Sequence, residues 1–353
     1  MNICYVMESF TLGGVEKVTY QLLSELGHRA KAAGHRYYLK VLDNSGDLKS
    51  LFDNIHNVEV SPIEGFLSFR KFCIENQIEC VVFTKGGISR YACLLPLSIK
   101  TVAIQHVPIN LPQVSKLKNC FRAFGAAILY RRMSSVITVS EGIRQNLIKY
   151  LRLSEDHVNT IYNAVVDSDV DTVASTPTEY KDYWVFVGRL SYQKGTDMLA
   201  KVVQLASEQI PDFKLVIVGS GPEESAFTSQ LSSFGVRDRV IIHGFSDNPY
   251  QYIKHAKGLL LPSRWEGLPT VLVEAAYLGT QTVSFDCRYG PSELTSNGQN
   301  GYLIKQDDVD AFAEAIIAIE KGLQKPMPDT KNFTKSQAAK NYELFVKQLC
   351  SQK

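Results

Sequence analysis

The chain contains no long hydrophobic run. Nowhere in its 353 residues do the roughly 18 to 20 consecutive apolar residues needed to cross a bilayer occur, so any membrane role is expected to be peripheral. The opening MNICYVMESF has neither the basic flank nor the long apolar core of a signal peptide. Cysteine is sparse and unpatterned. Cys4, Cys73, Cys80, Cys93, Cys120, Cys287 and Cys350 are odd in number and scattered, which argues against a disulfide framework and for reduced thiols in a cytosolic protein. No GxGxxG fingerprint or Walker motif is present. No second His or Cys stands at metal-ligand spacing from His106. Asp167, Asp169 and Asp171 lack the glycine and terminal glutamate of an EF-hand loop and are read as boundary residues. A net charge of +2 gives no general argument for nucleic acid.

The chain does contain a repeated grammar of short apolar strands and helices. Its length exceeds one hydrophobic core, so two domains are expected. Strands are expected at Asn2 to Met7, Arg36 to Val41, Val58 to Val60, Cys80 to Thr84, Thr101 to Gln105, Ser135 to Val139 and Val158 to Tyr162. After a break the rhythm resumes at Tyr183 to Val187, Phe213 to Val218, Val240 to His243, Gly258 to Leu261 and Gln281 to Phe285. Such alternation predicts an α/β protein with largely parallel sheets covered on both faces. The expected division is an amino-terminal domain over 1–170, a polar linker over 171–182, a second domain over 183–330 and a terminal helix over 331–353 that packs back on the first domain.

Candidate site residues fall where such sheets collect ligands, in loops beyond the carboxyl ends of strands. The stretch LPSRWEGLPTVLVEAAYLG, Leu261 to Gly279, runs from a buried strand through a turn-rich loop into a helix. Glu266 in the loop and Glu274 on the helix offer carboxylate oxygens that accept from sugar or ribose hydroxyls. The plainer alternative is one surface glutamate and one that stabilises a helix start. In the loop after Val187, Arg189 and Lys194 are five residues apart and can converge on adjacent phosphates, or be simply solvated. Gly219, in a Gly-Ser-Gly-Pro turn, permits close ligand approach. In the first half, the Gly13-Gly14 pair before a helix could turn backbone amides toward a phosphate or sugar oxygen, or make only a tight turn. Lys85-Gly86-Gly87 and His106 also follow candidate strands. His106 could orient a substrate hydroxyl or phosphate; a structural histidine is the alternative.

Charge is concentrated locally. Between Lys100 and Arg152 nine bases stand against the single acid Glu141, a balance of +8. The part from Lys116 to Met133 interleaves bases with Phe121, Phe124, Ile128, Leu129 and Tyr130. It is expected to contact an anionic membrane surface, the alternative being a packed helix with solvated bases. No aromatic platform or motif accompanies it for nucleic acid.

Together these motifs carry a resemblance. Gly188-Arg189-Leu190 with Gln193-Lys194-Gly195, the VGSGP run from Val218, and SRWEGLPTVLVEA from Ser263 resemble the GT4 family of retaining GT-B glycosyltransferases, of the bacterial polysaccharide and lipopolysaccharide type. Glu266 and Glu274 match its E-x7-E arrangement. The GGVEK run at Gly13, VITVSE at Val136, DCRYGPSEL at Asp286 and NGYL at Asn300 are further landmarks, whereas Asn163-Ala164-Val165-Val166-Asp167 departs from the usual N-G-[IV]-D. The resemblance implies two Rossmann-like domains whose sheets face across a cleft. It implies transfer of a hexose or N-acetylhexosamine from a nucleoside-diphosphate sugar, most often UDP-linked, to a hydroxyl of a surface glycan or lipid-linked saccharide. Arg189 and Lys194 would then meet the pyrophosphate, Glu274 the ribose and Glu266 the donor sugar. Gly14 and His106 would complete the reaction centre from the first domain, and Gly219, Gly267 and Leu268 would line the donor site. No cofactor or metal is required on this reading, since the first half has no persuasive D-x-D pair and the two cations can neutralise the leaving group. The expected setting is the cytoplasm, at the inner membrane face. A catalytically inactive sugar-binding protein on the same scaffold is the alternative.

Overall fold

The computed structural model describes residues 1–111 and 114–352. The chain divides into two units, Met1–Val165 with Asn332–Lys353, and Val166–Lys331. The first unit contains β1 (Asn2–Met7), β2 (Arg36–Val41), β3 (Val58–Pro62), β4 (Cys80–Phe83), β5 (Lys100–Gln105), β6 (Ser135–Thr138) and β7 (Val158–Thr160). They pair in the order β3-β2-β1-β4-β5-β6-β7, all parallel. The second contains β8 (Trp184–Val187), β9 (Leu215–Val218), β10 (Val240–Gly244), β11 (Gly258–Leu261), β12 (Gln281–Phe285) and β13 (Tyr302–Ile304). Their order is β10-β9-β8-β11-β12-β13, again all parallel.

The central strands are apolar along their length because helices cover both faces of a parallel sheet. CVVF in β4, LVIV in β9 and GLLL in β11 are buried at every position. Helices supply the other half of each core through stripes of 3.6-residue period. The helix Gly14–Ala33 buries Val18, Leu22, Leu23, Leu26 and Ala30 and stops at Gly34, whose φ of 64° suits glycine. In the second unit Trp184 is fully buried within the core cluster. Its indole Nε1 donates to Glu320 at 2.9 Å, so the ring's one polar atom is satisfied.

The terminal helix Lys335–Ser351 belongs to the first unit. It buries Ala338, Ala339, Tyr342 and Val346 and packs against Gly14–Ala33. Arg29 donates through Nε and Nη2 to Glu343 Oε2 at 3.1 and 2.9 Å. The stretch expected as linker, 171–182, begins inside a helix, Ser168–Ala174, capped by the Asp167 side chain. That helix is tied within the second unit, where Asn248 donates to the Val173 carbonyl at 2.8 Å and Tyr277 to Asp171 at 2.9 Å. The aspartates thus cap and anchor a short helix. The strand β13 was not anticipated: three half-buried residues are too few to show a period of two.

Replacing Tyr342 by alanine should cost roughly 3 kcal/mol or more of first-unit stability, as for other large-to-small changes in a core. Denaturant unfolding checks this, with a lower midpoint and an unchanged slope expected.

Candidate functional site

In each sheet the strand order reverses at the first strand of the unit, between β1 and β4 and between β8 and β11. Loops leaving those neighbouring strands diverge to opposite faces, and the crevice between them is where open α/β sheets bind ligands. In the second unit these loops carry Arg189 with Lys194, and Glu266.

Each loop is held by close backbone packing. A Cβ on Gly219 would lie 2.1 Å from the Gly188 carbonyl oxygen, and the Gly219 N–H donates to the Gly244 carbonyl at 2.7 Å. Glycine at 219 is therefore required by neighbouring backbone, whatever ligand the turn meets. Lys194 ends the 3-10 turn Tyr192–Lys194, closed by Gly195 at φ 67°. A Cβ there would meet the Pro262 carbonyl oxygen at 2.0 Å, so only glycine lets this loop touch the one after β11.

The two loops are then bonded to each other. The Arg264 N–H donates to the Gln193 carbonyl at 2.8 Å, and Gln193 Nε2 donates to the Trp265 carbonyl at 3.0 Å. Arg264 donates to both oxygens of Asp197 at 2.8 and 2.6 Å and lies 3.9 Å from the centre of the Tyr192 ring. Burial would raise the Asp197 pKa, but hydrogen bonding and charge from Arg264 outweigh it and lower it. The Glu266 backbone is clamped to the loop after β12: its N–H donates to the Arg288 carbonyl at 2.9 Å, and its own carbonyl accepts from Tyr289 at 3.0 Å.

The outcome is a direct pair. Lys194 Nζ lies 2.7 Å from Glu266 Oε1, and Glu266 is only 6% exposed. The sequence suggested separate targets for these residues and gave no sign that they touch. Arg189 is exposed and makes no ion pair among the described residues. Glu274, 2% exposed, sits inside the helix Thr270–Tyr277 between buried Val273 and Ala275. Gly267 and Leu268 are buried in the intervening loop.

Gly14 and His106 belong to the first unit. Gly14 opens its helix, exposed, with open space where a Cβ would project. His106 follows β5 and makes a hydrogen bond with the Thr84 backbone. Its Nε2 is buried without a hydrogen-bond partner, which assigns the Thr84 bond to Nδ1 and leaves Nε2 of the neutral ring as an acceptor. Burial lowers its pKa to about 4; the Thr84 bond opposes this and the Lys85 charge adds to it.

Sequence reading noted the position of Lys85 but missed its partners. Lys85 Nζ lies 2.6 Å from Glu16 Oε1 and donates to Glu8 Oε2 at 3.1 Å. The Glu16 contact is an ion pair with a carboxylate that is only 3% exposed. Burial disfavours the Lys85 charge, but Glu16 and Glu8 outweigh it and raise its pKa. Thr84 Oγ1, also buried, has no partner. The usable signal was positional: Glu8 and Lys85 follow β1 and β4 at the reversal point, and Glu16 follows the glycine pair. No three His, Cys, Asp or Glu side chains among the described residues are grouped to hold a metal ion.

Two measurements test this geometry. Lys194→Met leaves the Glu266 carboxylate without its cation and should cost about 3 kcal/mol. Adding Glu266→Gln should recover part of that loss in a double-mutant cycle. For His106 the folded pKa of about 4 lies below the ordinary 6.5. Its contribution is therefore present above pH 6.5 and lost as pH falls through 4, up to ~3 kcal/mol in all. His106→Gln should flatten the stability profile in that window.

Comparison with known proteins agrees with this architecture. Residues 12–169 match the model described as Glycosyltransferase Family 4, and residues 169–336 match Glycosyl transferases group 1. An uncharacterized glycosyltransferase of Haemophilus influenzae is 22% identical over 320 residues, 88% of each chain. The Campylobacter jejuni N-acetylgalactosamine-N,N'-diacetylbacillosaminyl-diphospho-undecaprenol 4-alpha-N-acetylgalactosaminyltransferase is 25% identical over 210 residues, 58% of this chain and 57% of that one. Among solved structures, a lipopolysaccharide outer core galactosyltransferase, WaaB, aligns with a TM-score of 0.74 at 20% identity, covering 98% of this chain and 100% of that one. HepE of Anabaena in complex with UDP aligns at 0.73 and 19%, covering 100% and 98%. With its two parallel-sheet units and two adjoining family matches, the chain has the GT-B fold and belongs to glycosyltransferase family 4.

Proposed function

We propose that the protein transfers a hexosyl or N-acetylhexosaminyl group, with retention at the anomeric carbon, from a UDP-linked sugar to a hydroxyl of a bacterial surface glycan or lipid-linked saccharide. The observation that carries this reading is the Lys194–Glu266 contact at the edge where β8 and β11 adjoin, with exposed Arg189 on the same loop as Lys194. A lysine ammonium has three donors. Glu266 occupies one and fixes the head group, leaving two for diphosphate oxygens. Arg189 adds a planar fork of donors suited to the same oxygens. The named ligand of the Anabaena relative supports UDP as the donor nucleotide.

In the proposed reaction the bond between the sugar anomeric carbon and the diphosphate oxygen breaks, and its electron pair leaves with UDP. Arg189 and Lys194 stabilise the charge that develops there, which is the usual route to large rate effects. The acceptor oxygen forms the new bond on the same face, and its proton passes to the departing phosphate oxygen. Glu266 accepts from donor-sugar hydroxyls and holds Lys194, and Glu274 accepts from the ribose. Gly14, Gly219, Gly267 and Leu268 shape the donor contacts. In the first unit, His106 Nε2 accepts from a sugar hydroxyl, a role open only to the neutral ring. The activities named for the Campylobacter and lipopolysaccharide relatives support a saccharide acceptor borne on a lipid.

Release of nucleotide from a panel of UDP-, GDP- and ADP-sugars, with Glu266→Ala as background, tests the reading. UDP should appear from one UDP-sugar and fall about 100-fold or more in the variant. Arg189→Ala should lower kcat/KM on a similar scale while changing stability by no more than ~0.5 kcal/mol, because its side chain is exposed. Calorimetric binding of a donor with no release, even with lipid-linked saccharides supplied, would identify a binding protein and defeat the transferase reading.

A further inference from the structure

The helix Lys116–Arg132 is inverted. A helix packed on a sheet ordinarily turns its large apolar residues inward, but this one buries Ala127 and Tyr130 and leaves Leu117, Phe121, Phe124 and Ile128 between 57% and 69% exposed. Those four positions lie within about 60° of one another at 100° per residue, so they form one continuous outer stripe. The helix also carries Lys116, Lys118, Arg122, Arg131 and Arg132 and no acid. The inversion is fixed by the fold. Tyr130 Oη donates to buried Gln105 at 2.5 Å, and Asn119 Nδ2 donates to the Leu111 and Val114 carbonyls at 2.9 and 3.0 Å. The helix therefore cannot roll its stripe inward without breaking both attachments.

Neighbouring elements of the same unit also expose apolar side chains. The 3-10 segment Gly86–Leu94 packs against this helix and against the helix Phe66–Glu75, and the Phe66 and Tyr91 rings stack with centroids 4.0 Å apart. Leu67 on the second helix is 79% exposed. A stripe of four large apolar side chains exposed along one helix face ordinarily marks an interaction site.

We infer that this face of the first unit docks on an anionic lipid bilayer, with Leu117, Phe121, Phe124 and Ile128 entering the interface and the flanking bases meeting lipid phosphates. Charge decides among the occupants. A second copy of the chain pairing through the same helix would set five bases against five, which is repulsive, whereas an anionic leaflet complements all of them. No helix among the described residues is long and apolar enough to cross a membrane, so the contact is interfacial. The inference deepens the lipid-linked acceptor reading and is tested without catalysis.

The experiment is flotation of the full chain with vesicles of phosphatidylcholine, with and without phosphatidylglycerol, in low and high salt. Binding should require phosphatidylglycerol and weaken with salt. It should fall about tenfold or more in F121S/F124S, a variant expected to fold because both side chains are exposed. F121W should show a blue shift on the same vesicles against a quiet background, since Trp184 and Trp265 are both buried in the second unit. No flotation with either vesicle overturns the inference, as does flotation unchanged by F121S/F124S. A wild-type dimer that F121S/F124S dissociates, without vesicle binding, would assign the stripe to self-association instead. Nucleotide release from the donor sugar should be the same in wild type and F121S/F124S. Loss of flotation with retained release thus separates this inference from the transferase reading.

Discussion

Because the strands of each sheet run parallel, every loop that leaves a strand lies at one edge of the sheet, and the reversal of strand order opens a crevice there. That constraint places the chemistry in both units. After β8 it sets Arg189 and Lys194, and after the adjacent β11 it sets Glu266, 72 residues from Lys194 along the chain yet 2.7 Å away. In the first unit it sets Glu8 after β1, Lys85 after β4 and His106 after β5.

Close backbone approach turns that placement into defined geometry. Gly195 and Gly219 sit where a Cβ would strike a carbonyl oxygen, at 2.0 and 2.1 Å. Removing side chains at these points lets loops from different strands touch, and hydrogen bonds from Gln193 and Arg264 then join them. Lys194 consequently approaches Glu266 from a loop with little freedom, which in the proposed transfer would lessen the reorganisation needed as charge develops on the leaving group. Charge balance differs between the units. The second offers Lys194 and exposed Arg189 against buried Glu266, whereas in the first Lys85 is flanked by two carboxylates, a setting less suited to a diphosphate than to neutral hydroxyls.

Much of the fold was legible because it is written in local pattern. Buried strands such as LVIV and GLLL announce themselves, and the helix Gly14–Ala33 shows its stripe at 3.6-residue spacing before a terminating glycine. The short strand β13 and the helix Ser168–Ala174 were hidden for a common reason: each is too short to display a period, and each forms because neighbours satisfy it. Asp167, Asp169 and Asp171 read as boundary residues, while the structure shows Asp167 capping a helix and Asp171 accepting from Tyr277. Between Lys116 and Met133, composition revealed bases interleaved with apolar residues. Only packing revealed that the alanine side faces the protein and the phenylalanine side does not.

By itself, the sequence determined the α/β class, the series of strands and helices, and the residue types available at the strand ends, because these follow from periodicity, turn chemistry and motif. Tertiary structure alone decided that Lys194 pairs with Glu266, that Glu16 and Glu8 converge on Lys85, and that His106 Nε2 is buried without a hydrogen-bond partner. Those facts depend on burial and on distances between strands far apart in the chain. A one-dimensional pattern carries neither quantity.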